Sequence, residues 1–247
     1  MKNQTNSIVQ RFYLLDLLRG VAIVLMLYFH FSFDLAHFGF TQSNFYHDPY
    51  WLHLRTVIVS LFLFVVGASL VLATQNGIQY RHFSKRIGLL LLFSVLISVN
   101  SYFMFPGRTI IIGILHFILI ASLLGLIFIR YYYLILITAI AIILTGTNLQ
   151  HEFFDNVWVH WIGMMTHKPA TEDYVPLIPW FGVVLLGMFF MKYALKSANL
   201  KKILQTKADH RIFDSLTFLG RHSLIIYVIH QPILYGFTWL AYRISTS

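Results

Sequence analysis

Runs of about 20 consecutive apolar residues recur along the chain, and this feature constrains the fold more than any other. A helix of that length crosses the hydrocarbon layer of a membrane and satisfies its own backbone hydrogen bonds. The predicted spans are Leu14–Ala36, Leu52–Gln75, Ile87–Met104, Ile111–Ile129, Tyr131–Thr145, Leu177–Ala194 and Phe218–Ala241. The sequence therefore predicts an all-α, polytopic integral membrane helix bundle of about seven transmembrane helices, formed by residues 1–247 as a single domain.

The composition agrees with a membrane protein and excludes several other classes. Only 11% of the residues are charged, whereas soluble domains carry roughly a quarter. The chain contains no cysteine, which excludes disulfides, thiolate metal sites, iron–sulfur clusters and a cysteine nucleophile. A disordered chain, a coiled coil and an ordinary cytosolic domain are excluded as well.

Lysine and arginine are distributed unevenly between the two sides that the spans define. With a cytoplasmic N-terminus, 14 of the 18 basic residues fall inside and six of the nine acidic residues fall outside. Cytoplasmic loops favour Lys and Arg, so the sequence predicts the N-terminus inside and the C-terminus outside. The same distribution accounts for the net charge of +9 without a nucleic-acid partner. The first span is longer than the apolar part of a signal peptide and is predicted to be an uncleaved anchor.

Four ionisable residues lie on one face of the first span, namely Asp16, Arg19, His30 and Asp34, and we call them the polar stripe. Ionisable groups at membrane depth are costly unless they are paired or face a cavity, so they are functional candidates. His30 and Asp34 are one turn apart, and a carboxylate beside a histidine orients the imidazole as a general base requires. Two structural alternatives remain open: Asp16–Arg19 as an edge pair and His30–Asp34 as a helix-packing contact.

The spacing along this face predicts the shape of a ligand. Arg19 lies near the cytoplasmic end, and His30 lies about 16 Å further along the helix. A groove along this face suits a long anionic ligand held at its cytoplasmic head, with its reactive end at His30. Coenzyme A thioesters have that shape.

Other spans supply further candidates. Arg86 and Arg221 are predicted to bind the phosphates of coenzyme A, although cytoplasmic basic residues often contact lipid instead. His116 lies within an apolar span and is either a ligand contact or a packed histidine. His230 and Gln231 lie mid-membrane and are interpreted as lining the cavity or satisfying the proline kink that follows. No spacing of histidines suggests a metal cage, so no metal is expected.

Five segments together resemble the bacterial relatives of the heparan-α-glucosaminide N-acetyltransferase catalytic domain family, within the acyltransferase-3-like transmembrane acyltransferase group. They are LLDLLRGVAIVLMLYFHFSFDL, FLFVVGASL, IIIGILHFI, DYVPLIPWFGVVLLG and LGRHSLIIYVIHQPILYG. The resemblance covers nearly the whole chain, from about Arg11 to Tyr235. Arg19 followed by His30 also resembles the motif of the broader group.

The resemblance implies a transmembrane acyltransferase domain in the cell inner (cytoplasmic) membrane, with acetyl-CoA as co-substrate. It implies acetyl transfer to an amine or hydroxyl of an extracytoplasmic acceptor, a glycan or amino sugar. Lysosomal members carry Asn at the position of His30, and their catalytic histidine lies in the outer loop that corresponds to His47. The essential base is therefore His30, supported by Asp34, or else His47. An acetyl-imidazole relay is the mechanistic alternative to direct transfer.

The main alternative function is a transporter or channel that uses the polar stripe as a proton or ion path. A retinal-type photoreceptor is disfavoured because the last span has no lysine for a Schiff base. A seven-span metal hydrolase is disfavoured because His222 and His230 are eight residues apart and do not share a helix face at one turn. Membrane lipid is an expected partner, and homodimerisation and the identity of the acceptor remain open.

Overall fold

The computed structural model describes residues 11–104, 113–167 and 173–246. These residues form α-helices and two short 3-10 helices, with no strand among them. The helices are α1 (Tyr13–His37), α2 (Pro49–Thr74), α3 (Tyr80–Met104), α4 (Ile114–Phe128), α5 (Tyr132–Asn148), α6 (Leu177–Lys196), α7 (Ala198–Gln205), α8 (Arg211–Arg221) and α9 (Ser223–Ser245). The predicted all-α polytopic membrane helix bundle is confirmed.

Five of the described helices are long and apolar enough to cross a membrane, namely α1, α2, α3, α6 and α9. The helices α4 and α5 are also apolar but have 15 and 17 residues. They span about 22 and 25 Å, against a hydrocarbon layer of about 30 Å. The count of seven spans therefore stays a prediction. The start of the predicted fourth span, at residues 111–112, lies outside the described residues. So do Arg108, Lys168 and Glu172, three of the charged residues predicted to lie on the outer side.

The predicted last span differs from the structure at its beginning. It was expected to start at Phe218, but α8 ends at Arg221 and α9 begins at Ser223. Only the short stretch of residues 220–223 separates the apolar residues of α8 from those of α9, so hydropathy alone joins the two helices. The helix α8 is instead a separate amphipathic helix that packs its small residues against α1.

Paired glycines bring helices into backbone contact at two crossings. A Cβ on Gly67 would overlap the carbonyl oxygen of Val184, and a Cβ on Gly187 would overlap that of Phe64. The helices α2 and α6 therefore touch at both glycines, and they lie at the centre of the largest apolar core of the described residues. The second crossing joins α1 to α8 in the same way through Gly20 and Gly220.

The α1–α8 crossing defines one end of the bundle, which we call the basic end. The start of α1, the end of α2 and the end of α8 meet there, because Arg19 hydrogen-bonds Ser69 and Arg221 approaches Asp16. The helices α1 and α9 then run in parallel, and Tyr235 packs against His37 at the opposite end, which we call the outer end. By this arrangement the polar stripe of α1 faces α9.

Replacing Gly187 with alanine is expected to destabilise the protein, because the added Cβ collides with the backbone of α2. Overpacking of this kind costs about 1–3 kcal/mol. Gly88→Ala in α3 is the matched control, since no atom lies within 4 Å of its added Cβ. That control should be neutral or stabilising by about 0.5–1 kcal/mol. Thermal unfolding in detergent measures both, and equal midpoints would contradict the backbone contact.

Candidate active site

Three cavities lie along the face of α1 that carries its ionisable residues. The basic cavity has a volume of about 520 Å³ and includes Arg19 and Arg86 in its wall. The outer cavity has about 360 Å³ and includes His30 and Trp180. A small cavity of about 70 Å³ lies between His30 and α9. The predicted stripe therefore faces space inside the protein rather than lipid alone.

Arg19 is held at the wall of the basic cavity by two hydrogen bonds. Its guanidinium donates to Asp16 Oδ1 at 3.0 Å and to the Ser69 hydroxyl. Arg11 donates to Asp16 Oδ2 at 2.9 Å, so the carboxylate balances two guanidinium groups. Asp16 and Arg19 therefore form the ion pair that was one of the two open structural alternatives. Ser69 was not predicted as a site residue. The only indication in the sequence was its position, two residues after Gly67.

The helix α3 brings more positive charge to the same cavity. His82, Lys85 and Arg86 line it together with Arg19, so that three cationic side chains, those of Arg19, Lys85 and Arg86, share one cavity. Arg86 was predicted for this role, whereas Lys85 and His82 were not singled out. Arg221 lies more on the surface, with its Nε 3.9 Å from Asp16 Oδ2, and it is not part of the cavity wall. Cations at this density suit a ligand with several phosphates.

The histidine of α1 meets a second histidine from α9. The ring centroids of His30 and His230 lie 4.9 Å apart, with the rings inclined at 63°. One turn further along α1, Asp34 Oδ1 accepts a hydrogen bond from Gln231 Nε2 at 2.9 Å. Because α9 runs parallel to α1, it presents a polar residue at each of these two levels. A direct contact between His30 and Asp34 stays a prediction.

The basic and outer cavities share one wall. Phe62, Ile114 and Tyr227 line both of them. The Tyr227 hydroxyl donates to Asp173 Oδ2, which also accepts from the backbone N–H of Ile114 at 3.3 Å. These bonds tie α9, the start of α4 and the segment before α6 together at the wall. Tyr227 was not predicted, although it lies one helical turn before His230 on the same face of α9.

The outer cavity adds polar and aromatic groups from α2 and from the loop before α6. Arg55, Asp173, Tyr174 and Trp180 line it together with His30. Burial raises the pKa of the Tyr174 phenol above its ordinary value, and its hydroxyl donates to the carbonyl of His160. Tyr174 therefore stays neutral and holds the loop against α6.

A turn within the loop before α6 fixes another part of the outer wall. Asp155 Oδ1 accepts from the backbone N–H of Thr166 at 2.8 Å, and Asp155 Oδ2 accepts from the Thr166 hydroxyl. The Thr166 hydroxyl holds the pKa of the Asp155 carboxyl below its usual value. Thr166 and Met165 line the outer cavity, so this turn shapes part of its wall.

Two predicted residues lie away from these cavities. His47 is exposed on the loop after α1, where its backbone N–H donates to Asn44 Oδ1 at 3.2 Å. His116 Nδ1 accepts from the backbone N–H of Gly113 at 3.3 Å, which caps the start of α4. Neither side chain lines the basic, outer or small cavity. Among the described residues, no group of three or more His, Cys, Asp or Glu is placed to hold a metal ion.

Fold and site together define an integral membrane protein in which a cationic cavity and a histidine-bearing cavity meet at one wall. The family described as "Heparan-alpha-glucosaminide N-acetyltransferase, catalytic" matches residues 11–232. The chain belongs to this family, which makes it a membrane acetyltransferase and does not favour a transporter or channel. No curated protein and no solved structure was found to match the chain.

Proposed function

We propose that the protein transfers an acetyl group from cytoplasmic acetyl-CoA to an amine or hydroxyl of an extracytoplasmic acceptor, with an amino sugar as the favoured class. One observation carries the proposal: the basic cavity and the outer cavity share the wall formed by Phe62, Ile114 and Tyr227. A donor on one side and an acceptor on the other can react only where their cavities adjoin.

The basic cavity suits the nucleotide end of acetyl-CoA. Arg19, Lys85 and Arg86 line it, and arginine binds phosphate oxygens in a bidentate manner. The positive-inside distribution of charge supports a cytoplasmic position for this end, so that the donor would enter from the cytoplasm. Arg221 is proposed as a further phosphate contact. It is peripheral because it lies near Asp16 and outside the cavity wall.

The distance from the cationic groups to His30 suits the rest of the donor. Eleven residues of α1 separate Arg19 from His30, which is about 16 Å along the helix axis. The thioester lies at the far end of the pantetheine arm, so phosphates at the basic end leave the acetyl group near the shared wall. His30 opens on the outer cavity, where the acceptor is proposed to bind.

The proposed chemistry needs one base and no covalent intermediate. The acceptor nitrogen or oxygen attacks the thioester carbonyl carbon, the new bond to carbon forms, and the carbon–sulfur bond breaks. His30 takes the proton of the attacking group and passes it to the departing thiolate, which leaves as coenzyme A. Asp34 is proposed to support the site through Gln231. His47 on the exposed loop remains the alternative base.

An acetyl-imidazole relay is the second mechanism, and it predicts a different result. Acetyl transferred first to a histidine would label the protein in the absence of acceptor. Incubation of the purified protein with labelled acetyl-CoA, followed by mapping of any labelled histidine, separates the relay from direct transfer. We expect no label on histidine.

Purified protein in detergent is expected to bind acetyl-CoA and to release thiol when glucosamine is added. Isothermal titration measures the binding of acetyl-CoA and coenzyme A. A thiol reagent measures the release, and the absence of cysteine from the chain leaves coenzyme A as the source of the signal. Flux of ions or solutes in liposomes without any binding of coenzyme A would contradict the proposal and favour a transporter.

A further inference from the structure

His230 is the counterpart of His30 on α9 and is 7% exposed. Its Nδ1 lies 2.6 Å from the carbonyl oxygen of Tyr227. A carbonyl oxygen only accepts hydrogen bonds, so Nδ1 must carry the proton and donate it. In the neutral ring this leaves the lone pair on Nε2. The backbone of α9 therefore fixes the tautomer of His230.

The Nε2 atom of His230 is buried and has no hydrogen-bond partner among the described residues. A buried acceptor without a partner costs free energy, and such an atom in a functional site calls for an explanation. The neighbouring ring is that of His30, at a centroid distance of 4.9 Å. His30 lines both the small cavity that contains His230 and the outer cavity, whereas His230 lines only the small one.

We propose that His230 is a positioning residue for His30, an inference that rests on the proposed function. In the reacting complex, His230 Nε2 accepts a hydrogen bond from one ring nitrogen of His30. The other nitrogen of His30 then carries the lone pair and faces the acceptor in the outer cavity. His230 thus takes the role of the carboxylate that orients a catalytic histidine in many enzymes. The sequence predicts Asp34 in that role.

The proton balance of the step is simple. His30 gains the proton of the attacking group on its outer nitrogen and becomes an imidazolium, while its inner N–H stays bonded to His230. His30 then gives the gained proton to the thiolate and returns to its starting tautomer. His230 remains neutral throughout, since its Nδ1–H stays with the carbonyl of Tyr227.

Two polar substitutions of similar size separate this role from packing. His230→Gln can place its amide oxygen where Nε2 lies, and so keeps an acceptor for His30. His230→Asn can keep a donor where Nδ1 lies, but its side chain is too short to reach the position of Nε2. We expect His230→Gln to retain kcat within about 10-fold and His230→Asn to lose about 100-fold, since misorienting a base costs much of its contribution.

Two other measurements complete the test. The affinity for acetyl-CoA and the thermal midpoint should be the same in both variants, because neither touches the basic cavity. Acylation of His30 by diethyl pyrocarbonate, followed by mass spectrometry, reads the exposed lone pair without any acceptor. We expect this rate to be several-fold lower in His230→Asn than in His230→Gln.

Equal kcat and equal acylation of His30 in the two variants would overturn the positioning role. Failure of the wild type to bind acetyl-CoA would instead overturn the proposed function. If the wild type binds acetyl-CoA but releases no thiol with glucosamine, that acceptor is wrong, and the acylation rates of His30 alone decide the role of His230.

Discussion

His30→Ala is expected to lower kcat for acetyl transfer by about 10²–10⁴-fold, the range that a positioned general base contributes. The affinity for acetyl-CoA should stay unchanged, because His30 lies about 16 Å along α1 from Arg19 and lines the outer cavity rather than the basic one. Thiol release at saturating acetyl-CoA measures kcat, and isothermal titration measures the dissociation constant.

His53→Ala and His47→Ala complete this experiment. His53 is exposed near the start of α2, where its Nδ1 contacts the Pro49 carbonyl at 2.6 Å, and its replacement should leave turnover unchanged. His47→Ala decides between the two candidate bases. Loss of kcat in His47→Ala with normal kcat in His30→Ala would show that the exposed loop, and not α1, supplies the base.

The double substitution Arg19→Ala and Arg86→Ala is expected to weaken the binding of acetyl-CoA by about 100-fold or more. Each hydrogen bond to a charged group contributes about 1.5–3 kcal/mol, and both guanidinium groups line the basic cavity. Each single substitution should weaken binding by about 10-fold or more on the same basis. The wild-type affinity should also fall as salt rises, since the attraction is between charges.

Arg211→Ala is the matched control for charge. Arg211 is exposed at the start of α8 and does not line the basic cavity, so its loss removes one positive charge without removing a phosphate contact. Equal weakening by Arg211→Ala and Arg19→Ala would mean that net charge, and not the cavity, attracts the donor. Unchanged affinity in the double variant would place coenzyme A elsewhere.

The membrane bundle and the stripe on α1 were predictable because both depend on local periodicity. Apolar runs identify helices, and the spacing of Asp16, Arg19 and His30 identifies one face. The pairing of Arg19 with Asp16 follows from the same spacing, since the two residues are three apart. Hydropathy was less successful at α8, where only a short polar stretch separates an amphipathic helix from a span.

The sequence by itself determined that an apolar chain carries a line of ionisable groups along its first helix, because the helical repeat sets which side chains share a face. Only the tertiary structure decided what those groups meet. Asp34 bonds Gln231 across 197 positions of sequence, and His30 meets His230 of α9. Such partners depend on which helices pack side by side, and that choice comes from paired glycines and side-chain fit along whole helices.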